Sequence, residues 1–162
     1  MTRPAWWKGA RGEWYVVVQA VLMVVVAVGP RSWNGWPPWP FPASTWLWYA
    51  GAALAAAGVC LAAAGMVKMG PALTALPCPE DRAVLLETGV YRLVRHPIYA
   101  GVITAAFGWA LLVRGSLTMG CALALGLLLD VKSREEERWL SARFPGYADY
   151  QRRVRKLIPF LY

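Results

Sequence analysis

The sequence predicts an all-α, polytopic membrane protein with about four transmembrane helices and a cytoplasmic C-terminal helical tail. Of its 162 residues, 58% are hydrophobic and only 16% are charged, which is too apolar for an ordinary soluble domain of this size. Four apolar segments contain no Lys or Arg, and the chain between them is too short for a large extramembrane domain. Charged residues lie at or beyond the edges of these segments.

The four apolar segments are residues 14–28, 45–67, 98–113 and 117–131. The first, third and fourth are shorter than the roughly 20 residues that a helix needs to cross the hydrocarbon core. We therefore expect their helices to extend into the flanks, or the last two to form a tight hairpin that dips into the bilayer and returns. Arg114, Gly115 and Ser116 would supply the turn of that hairpin. The first segment lacks an A-x-A-like cleavage site and is interpreted as a retained span.

The second apolar segment carries small residues at a spacing of three and four. They are Gly51, Ala55, Gly58, Ala62 and Gly65. This spacing places them on one helix face, where they allow a neighbouring backbone to approach closely. The stripe predicts helix packing and not chemistry. We expect residues 1–162 to form a single membrane domain, with an N-terminal two-helix part at 1–67 and a core with the cofactor site at 68–162.

The charged residues predict the orientation of the chain. Fifteen of the seventeen Lys and Arg residues precede the first segment, separate the second from the third, or follow the fourth. Only Arg31 and Arg114 fall on the opposite side. The positive-inside rule then puts both termini and the middle loop in the cytoplasm, and it explains the net charge of +8 without a nucleic-acid partner. Residues 31–42, rich in Trp and Pro, are expected to form an interfacial aromatic belt on a stiff connector.

Cysteine and histidine are too scarce for a metal centre. Cys60, Cys78 and Cys121 have no C-x-x-C spacing, and His96 is the only histidine. We therefore predict neither a protein metal site nor a disulfide framework. The abundance of Ala, Gly, Arg, Pro and Trp suggests a bacterial coding sequence, so we expect an integral, multi-pass protein of a bacterial inner membrane.

The middle loop contains the first polar motif, which runs from Gly89 to Gly101. A glycine that permits a turn, two arginines and His96 precede Pro97, which suits the first turn of a helix. Free N–H groups at such a helix N-terminus favour an anionic group, and Arg95 can clamp a carboxylate. The alternative is a basic juxtamembrane loop that anchors on lipid headgroups, and spacing alone does not separate the two.

The second motif follows the fourth segment and contains three successive carboxylates, Glu135, Glu136 and Glu137. They point in different directions around a helix, so at most two can face one site. By itself the segment also fits a solvated amphipathic helix. Because both motifs lie on the cytoplasmic side with tyrosines between them, together they favour a ligand that has positive and negative groups.

These two motifs resemble the isoprenylcysteine carboxyl methyltransferase and phospholipid methyltransferase superfamily of membrane enzymes. They read Gly89-x-Tyr91-x-x-x-Arg95-His96-Pro97-x-Tyr99-x-Gly101 and Arg134-x-Glu136-Glu137-x-x-Leu140-x-x-x-Phe144, followed by Tyr147-x-x-Tyr150 and Ile158-Pro159. The match covers less than half of the chain. Its specificity comes from two long motifs in the right order, separated by an apolar hairpin.

The resemblance implies a methyltransferase that binds S-adenosylmethionine at the cytoplasmic face and methylates a lipophilic acceptor, either a lipid amine, a carboxylate or a thiol. It implies catalytic roles for Arg95 and Glu136. It implies cofactor binding by Tyr91, Arg95, His96, Pro97, Tyr99, Gly101, Glu136 and Glu137. Glu136 or His96 would act as the base if the acceptor is protonated. The expected partners are membrane lipids and a lipophilic acceptor, and the oligomeric state stays open.

Two other classes remain as alternatives. Sterol and steroid reductases of the same broad superfamily share an R-H-P-x-Y segment but bind NADPH. In those proteins Asn more often follows the Pro, where this chain has Ile98, and an acidic residue follows the last Gly, where it has Val102. A non-enzymatic membrane scaffold is the third class. If the acceptor is a lipid, we expect its pocket to open sideways near Trp139, Leu140 and Phe144, away from the small-residue faces.

Overall fold

The computed structural model describes residues 12–34, 39, 45–74, 76 and 85–162. Within them the chain forms five α-helices and no strand. The helices are α1 (Glu13–Val28), α2 (Thr45–Met69), α3 (Pro97–Val113), α4 (Ser116–Arg143) and α5 (Tyr147–Arg153). Short 3-10 turns cover Gly70–Ala72 and Gly89–Arg92. The predicted all-α class is confirmed, and each of the four apolar segments lies within one of the first four helices.

Within the residues that the structure describes, two helices are long and apolar enough to cross a bilayer. They are α2 with the turn that follows it, Thr45–Ala72, and α4, and their most apolar 18-residue stretches have a mean hydropathy of 2.0 and 1.4. The other two apolar helices, α1 and α3, have 16 and 17 residues. The count of four spans, the hairpin that dips and returns, and the orientation of the termini stay predictions.

The small-residue stripe of α2 packs against α3, as predicted. Gly51, Gly58, Ala62 and Gly65 are all buried. A Cβ atom added to Gly101 of α3 would lie 2.5 Å from the backbone N of Ala62 and 2.5 Å from the carbonyl O of Gly58. No real side chain tolerates such distances, so the two backbones are in direct contact because glycine occupies both sides.

The turn between α3 and α4 lies at the predicted residues. Arg114 adopts the left-handed conformation (φ 51°) and its backbone N–H is bonded to the carbonyl O of Ala110, which ends α3. α4 then continues for 28 residues, well beyond the end of the apolar segment at residue 131. The three carboxylates of the acidic motif are therefore on the same helix as the fourth apolar segment. This continuous helix fixes their distance from its apolar part.

The C-terminal tail folds back on the segment that precedes α3. Val94 and Arg155 form a parallel β-bridge. The backbone N–H groups of Arg95 and His96 donate to the carbonyl oxygens of Arg155 (2.8 Å) and Lys156 (3.1 Å). Lys156 is buried and forms an ion pair with Asp130 of α4. The tail thus fixes the start of α3 against α4.

Several sequence predictions concern residues outside the described part of the chain. These are most of the Trp- and Pro-rich connector, Cys78, and the basic residues Arg3, Lys8, Arg11 and Arg82.

Candidate active site

The two polar motifs meet where the start of α3 packs against the polar end of α4. The Nε atom of Arg95 lies 2.7 Å from Oε1 of Glu137, and Nε2 of His96 lies 3.1 Å from the same oxygen. All three side chains are largely buried, with exposed fractions of 10%, 5% and 13% for Arg95, His96 and Glu137. One carboxylate oxygen therefore receives two donors inside the protein.

Arg95 also ties the site to α5. Its Nη1 donates to the carbonyl O of Gln151 at 3.3 Å and to that of Val154. The side-chain amide of Gln151 donates to the second oxygen of Glu137 at 3.1 Å. Arg95 and Glu137 thus form a charge-neutral clasp that joins the start of α3, α4 and α5. The sequence indicated the two residues but not this shared contact, which depends on the path of the tail.

Glu136 differs from its neighbour in having an unused oxygen. Its Oε2 atom is buried and has no hydrogen-bond partner among the described residues. The Nδ1 atom of His96 lies 3.6 Å from this oxygen, which is beyond hydrogen-bond distance. Buried polar atoms are nearly always bonded, so an unpaired carboxylate oxygen is a place where a ligand donor can bind.

His96 lies between the two carboxylates, with only 6% of its surface exposed. Because a carboxylate only accepts, the contact with Glu137 requires a proton on Nε2. In the neutral ring Nδ1 then carries the lone pair and faces Glu136. The imidazole ring is also parallel to the ring of Tyr99, with 5.5 Å between their centroids. His96 is thus held by its hydrogen bond to Glu137 and by the stacked ring of Tyr99, while its Nδ1 atom faces Glu136.

Three buried tyrosines enclose this network. The Tyr150 hydroxyl donates to the carbonyl O of Tyr91 at 2.6 Å, and the Tyr91 hydroxyl donates to that of Gly65 at 3.4 Å. Burial, together with the charge of Glu136, raises the pKa of Tyr91 to about 12. Burial also raises the pKa of Tyr147 and Tyr150 above its usual range. At neutral pH these phenols stay protonated, so they act as donors and not as bases.

A cavity of about 200 Å³ adjoins the network on the side of α1 and α2. It is lined by Gln19, Met69, Leu73, Thr74, Tyr91, Arg95, His96, Pro97, Ile98, Tyr99 and Lys132. Five of the predicted site residues, from Tyr91 to Tyr99, are on its wall. Gly101 is one turn deeper, where its backbone contacts α2.

Sequence reasoning missed six residues of the cavity wall, among them Gln19 and Lys132, which contact each other. Lys132 is four residues before Glu136, a spacing that places both on one face of a helix. Gln19 is the only amide in the first apolar segment. Both features are visible in the sequence, but only the packing of α1 against α4 shows that the two side chains meet.

A second, apolar groove of about 550 Å³ lies deeper between α1, α2 and α3. Its wall includes Met23, Gly58, Met66, Gly101 and Trp109. The small-residue faces thus border a groove, and the expectation that an acceptor enters away from these faces stays a prediction. Glycine and alanine bring α2 and α3 together, but their short side chains leave the space beside the pair unfilled. Of the expected gate residues, Leu140 and Phe144 pack on the buried cluster around Tyr147, whereas Trp139 is exposed.

The fold and the site define an all-helical membrane protein with a buried histidine–carboxylate–arginine network at the end of its helices. The family model for phospholipid methyltransferases matches residues 46–146, and the chain belongs to this family. The resemblance carried by the two motifs is thus confirmed. Among the described residues, no group of three or more His, Cys, Asp or Glu side chains is arranged to hold a metal ion.

Curated relatives include both named methyltransferases and resistance proteins. The cobalt-zinc-cadmium resistance protein CzcN of Cupriavidus metallidurans is 30% identical over 93% of this chain and 63% of its own length. Methanethiol S-methyltransferase 2 of Bradyrhizobium diazoefficiens is 27% identical over 100% of this chain and 68% of its own. A probable protein-S-isoprenylcysteine O-methyltransferase of Oryza sativa is 33% identical over 51% and 44%. The chain spans 63% and 64% of the two resistance proteins that it matches.

Proposed function

We propose that this protein transfers a methyl group from S-adenosylmethionine to a lipophilic acceptor at the cytoplasmic face of the membrane. The observation that carries the proposal is the unpaired, buried oxygen of Glu136 beside the His96–Glu137–Arg95 network and its cavity. Methyltransferases among the relatives support the reaction type. The proposed setting is a multi-pass protein of a bacterial inner membrane with both termini in the cytoplasm.

The residues present fit the chemistry of this methyl donor. It carries a cationic sulfonium and amino group, for which the Glu136 carboxylate and the tyrosine rings are suitable partners. It also carries a carboxylate and ribose hydroxyls, for which His96 and the N-terminal N–H groups of α3 are suitable. When bound, it supplies an electrophilic methyl carbon. Arg95 is largely engaged by Glu137 and the tail, so its main part is to hold the start of α3 in place.

The chain itself contributes alignment and exclusion of water. The clasp between Arg95 and Glu137 fixes the imidazole of His96 through a 3.1 Å hydrogen bond. Correct alignment alone can lower the barrier by several kcal/mol. If the acceptor arrives protonated, the Nδ1 atom of His96 is free to take its proton, and the two carboxylates on either side stabilise the resulting imidazolium.

The apolar groove supports a lipophilic acceptor. It begins within one helical turn of the cavity and is lined by hydrocarbon side chains and glycine. An acceptor can leave its alkyl part in this groove while its reactive group reaches the cavity, and each buried CH₂ contributes about 0.8 kcal/mol.

Methyl transfer is tested with purified protein in micelles or membranes. We expect methyl-labelled S-adenosylmethionine to label a lipid or small apolar fraction, and S-adenosylhomocysteine to inhibit the transfer. NADPH binding is the matched measurement for the reductase alternative. Tight binding of NADPH, with no binding of S-adenosylhomocysteine, would replace the methyltransferase proposal by the reductase.

A further inference from the structure

Lys132 is a buried cation without a carboxylate partner in the described part of the chain. Only 1% of its surface is exposed. Its Nζ atom donates to the side-chain oxygen of Gln19 at 2.6 Å and lies 5.2 Å from the centroid of the Tyr99 ring. Buried ammonium groups are costly unless a charge compensates them, and a neutral amide with an aromatic ring does so only in part.

The cavity wall therefore has an excess of positive charge. Of its lining residues Arg95, His96 and Lys132 are basic, and none is Asp or Glu. Glu137 already neutralises Arg95 through a 2.7 Å ion pair. Glu136 follows Lys132 by one helical turn. The ion pairs of the described residues include none between a Glu136 oxygen and the Nζ atom of Lys132 within 4 Å. Lys132 thus has no direct ion pair in the described part of the chain, the charge of Glu136 acts on it from beyond 4 Å, and an anion bound in the cavity is stabilised by it.

The cavity and the apolar groove share no lining residue, but they follow one another along α1 and α2. On α1, Gln19 lines the cavity and Met23 lines the groove, with the Gln19 amide donating to the Met23 sulfur at 3.7 Å. On α2, Met69 lines the cavity and Met66 lines the groove. A ligand with an anionic head at Lys132 would extend an alkyl tail along these two helices toward the groove.

We propose that Lys132, oriented by Gln19, binds the anionic group of the methyl acceptor and selects a lipophilic carboxylate or thiolate over a lipid amine. This inference rests on the proposed methyltransferase function. A protonated amine would bring a second cation beside Lys132, whereas an anion is stabilised there. The acceptor's oxygen or sulfur lone pair forms the new bond to the methyl carbon while the methyl–sulfonium bond breaks and its electron pair goes to sulfur. A carboxylate is already an anion and loses no proton, whereas a thiol first gives its proton to a base, for which His96 on the same cavity wall is the candidate.

The carboxylate of S-adenosylmethionine is a second anion that Lys132 can bind. The experiment separates binding of this carboxylate from binding of the acceptor. Full-length protein in micelles of fixed concentration is assayed with methyl-labelled donor and three acceptors of equal chain length: dodecanoate, dodecanethiol and dodecylamine. Binding of S-adenosylhomocysteine is measured in parallel. The variants are Lys132→Met, which keeps the side-chain volume, Gln19→Leu, and the exposed control Lys68→Met.

We expect the wild type to prefer one of the anionic acceptors to dodecylamine. Lys132→Met should lower kcat/KM for that acceptor at least tenfold, Gln19→Leu by a smaller factor, and Lys68→Met not at all. The dissociation constant of S-adenosylhomocysteine should stay within about threefold of the wild type. If Lys132→Met does not fold, Gln19→Leu carries the test, because it removes the oriented contact and keeps the charge.

Three results overturn the inference. If the wild type prefers dodecylamine, the site does not select an anionic acceptor. Unchanged kcat/KM in both cavity variants shows that Lys132 does not contact the acceptor. A loss of S-adenosylhomocysteine binding as large as the loss of kcat/KM assigns Lys132 to the donor's carboxylate. In all three cases methyl transfer persists in the wild type, so the proposed function survives; only absence of both transfer and S-adenosylhomocysteine binding would remove it as well.

Discussion

Two adjacent glutamates have opposite surroundings in this site. The two oxygens of Glu137 accept hydrogen bonds from Arg95, His96 and Gln151. Glu136 has a buried oxygen without a partner. A residue whose bonds are all made within the protein contributes to stability, whereas a residue with an unmet bond is available to a ligand.

Substitution of these two residues should therefore separate stability from binding. Glu137→Gln leaves the buried guanidinium of Arg95 without its counter-charge, and we expect a loss of about 3 kcal/mol in unfolding free energy. Glu136→Gln should change that free energy by less than about 0.5 kcal/mol. Chemical unfolding in a fixed detergent measures both. Equal destabilisation by the two variants would show that Glu136 is also a structural partner.

At the scale of elements, the contact between α2 and α3 is made by backbone. A Cβ atom on Gly101 would lie 2.5 Å from backbone atoms of α2, and backbone cannot move aside as a side chain can. Gly126 of α4 is the matched opposite case, because a Cβ atom there meets only a methyl group of Ile103 at 3.8 Å. Both glycines are inside helices, so they differ only in the space around them.

Gly101→Ala should destabilise the protein by about 1–3 kcal/mol because it overpacks the contact between α2 and α3. Gly126→Ala should be neutral or stabilise it by up to about 1 kcal/mol through better helix propensity. Thermal unfolding of both variants in one detergent gives the comparison. A Gly101→Ala variant as stable as the wild type would mean that α2 and α3 separate at little cost.

The sequence predicts those elements that depend on local pattern. Apolar runs indicated the first four helices, Pro97 marked the start of α3, and the glycine spacing of α2 predicted its packed face. The continuous length of α4 was not predicted, because its second half is polar and is stabilised by contacts with α5 and the tail. The bridge between Val94 and Arg155 and the bond between Lys132 and Gln19 join distant parts of the chain, so no local pattern indicates them.

At the scale of the whole molecule, the orientation in the bilayer follows from charge. Fifteen basic residues on one side and two on the other predict a cytoplasmic C-terminus, middle loop and active site. Reporter fusions after Tyr162 and within residues 68–95 should report cytoplasm, and a fusion within residues 33–41 the opposite side. A C-terminal reporter outside the cytoplasm would move the site to the other face of the membrane.

The central claim is that the His96–Glu136 end of the helices binds the methyl donor. The most direct measurement is calorimetric titration of S-adenosylhomocysteine into the protein in lipid nanodiscs, with the wild type, Glu136→Gln and the opposite-face control Arg31→Ala. We predict saturable binding to the wild type and the control, and a loss of about 1.5–3 kcal/mol in Glu136→Gln, as expected for a hydrogen bond to a charged group. Equal affinity in all three proteins, with Glu136→Gln still folded, would contradict the assignment of the site.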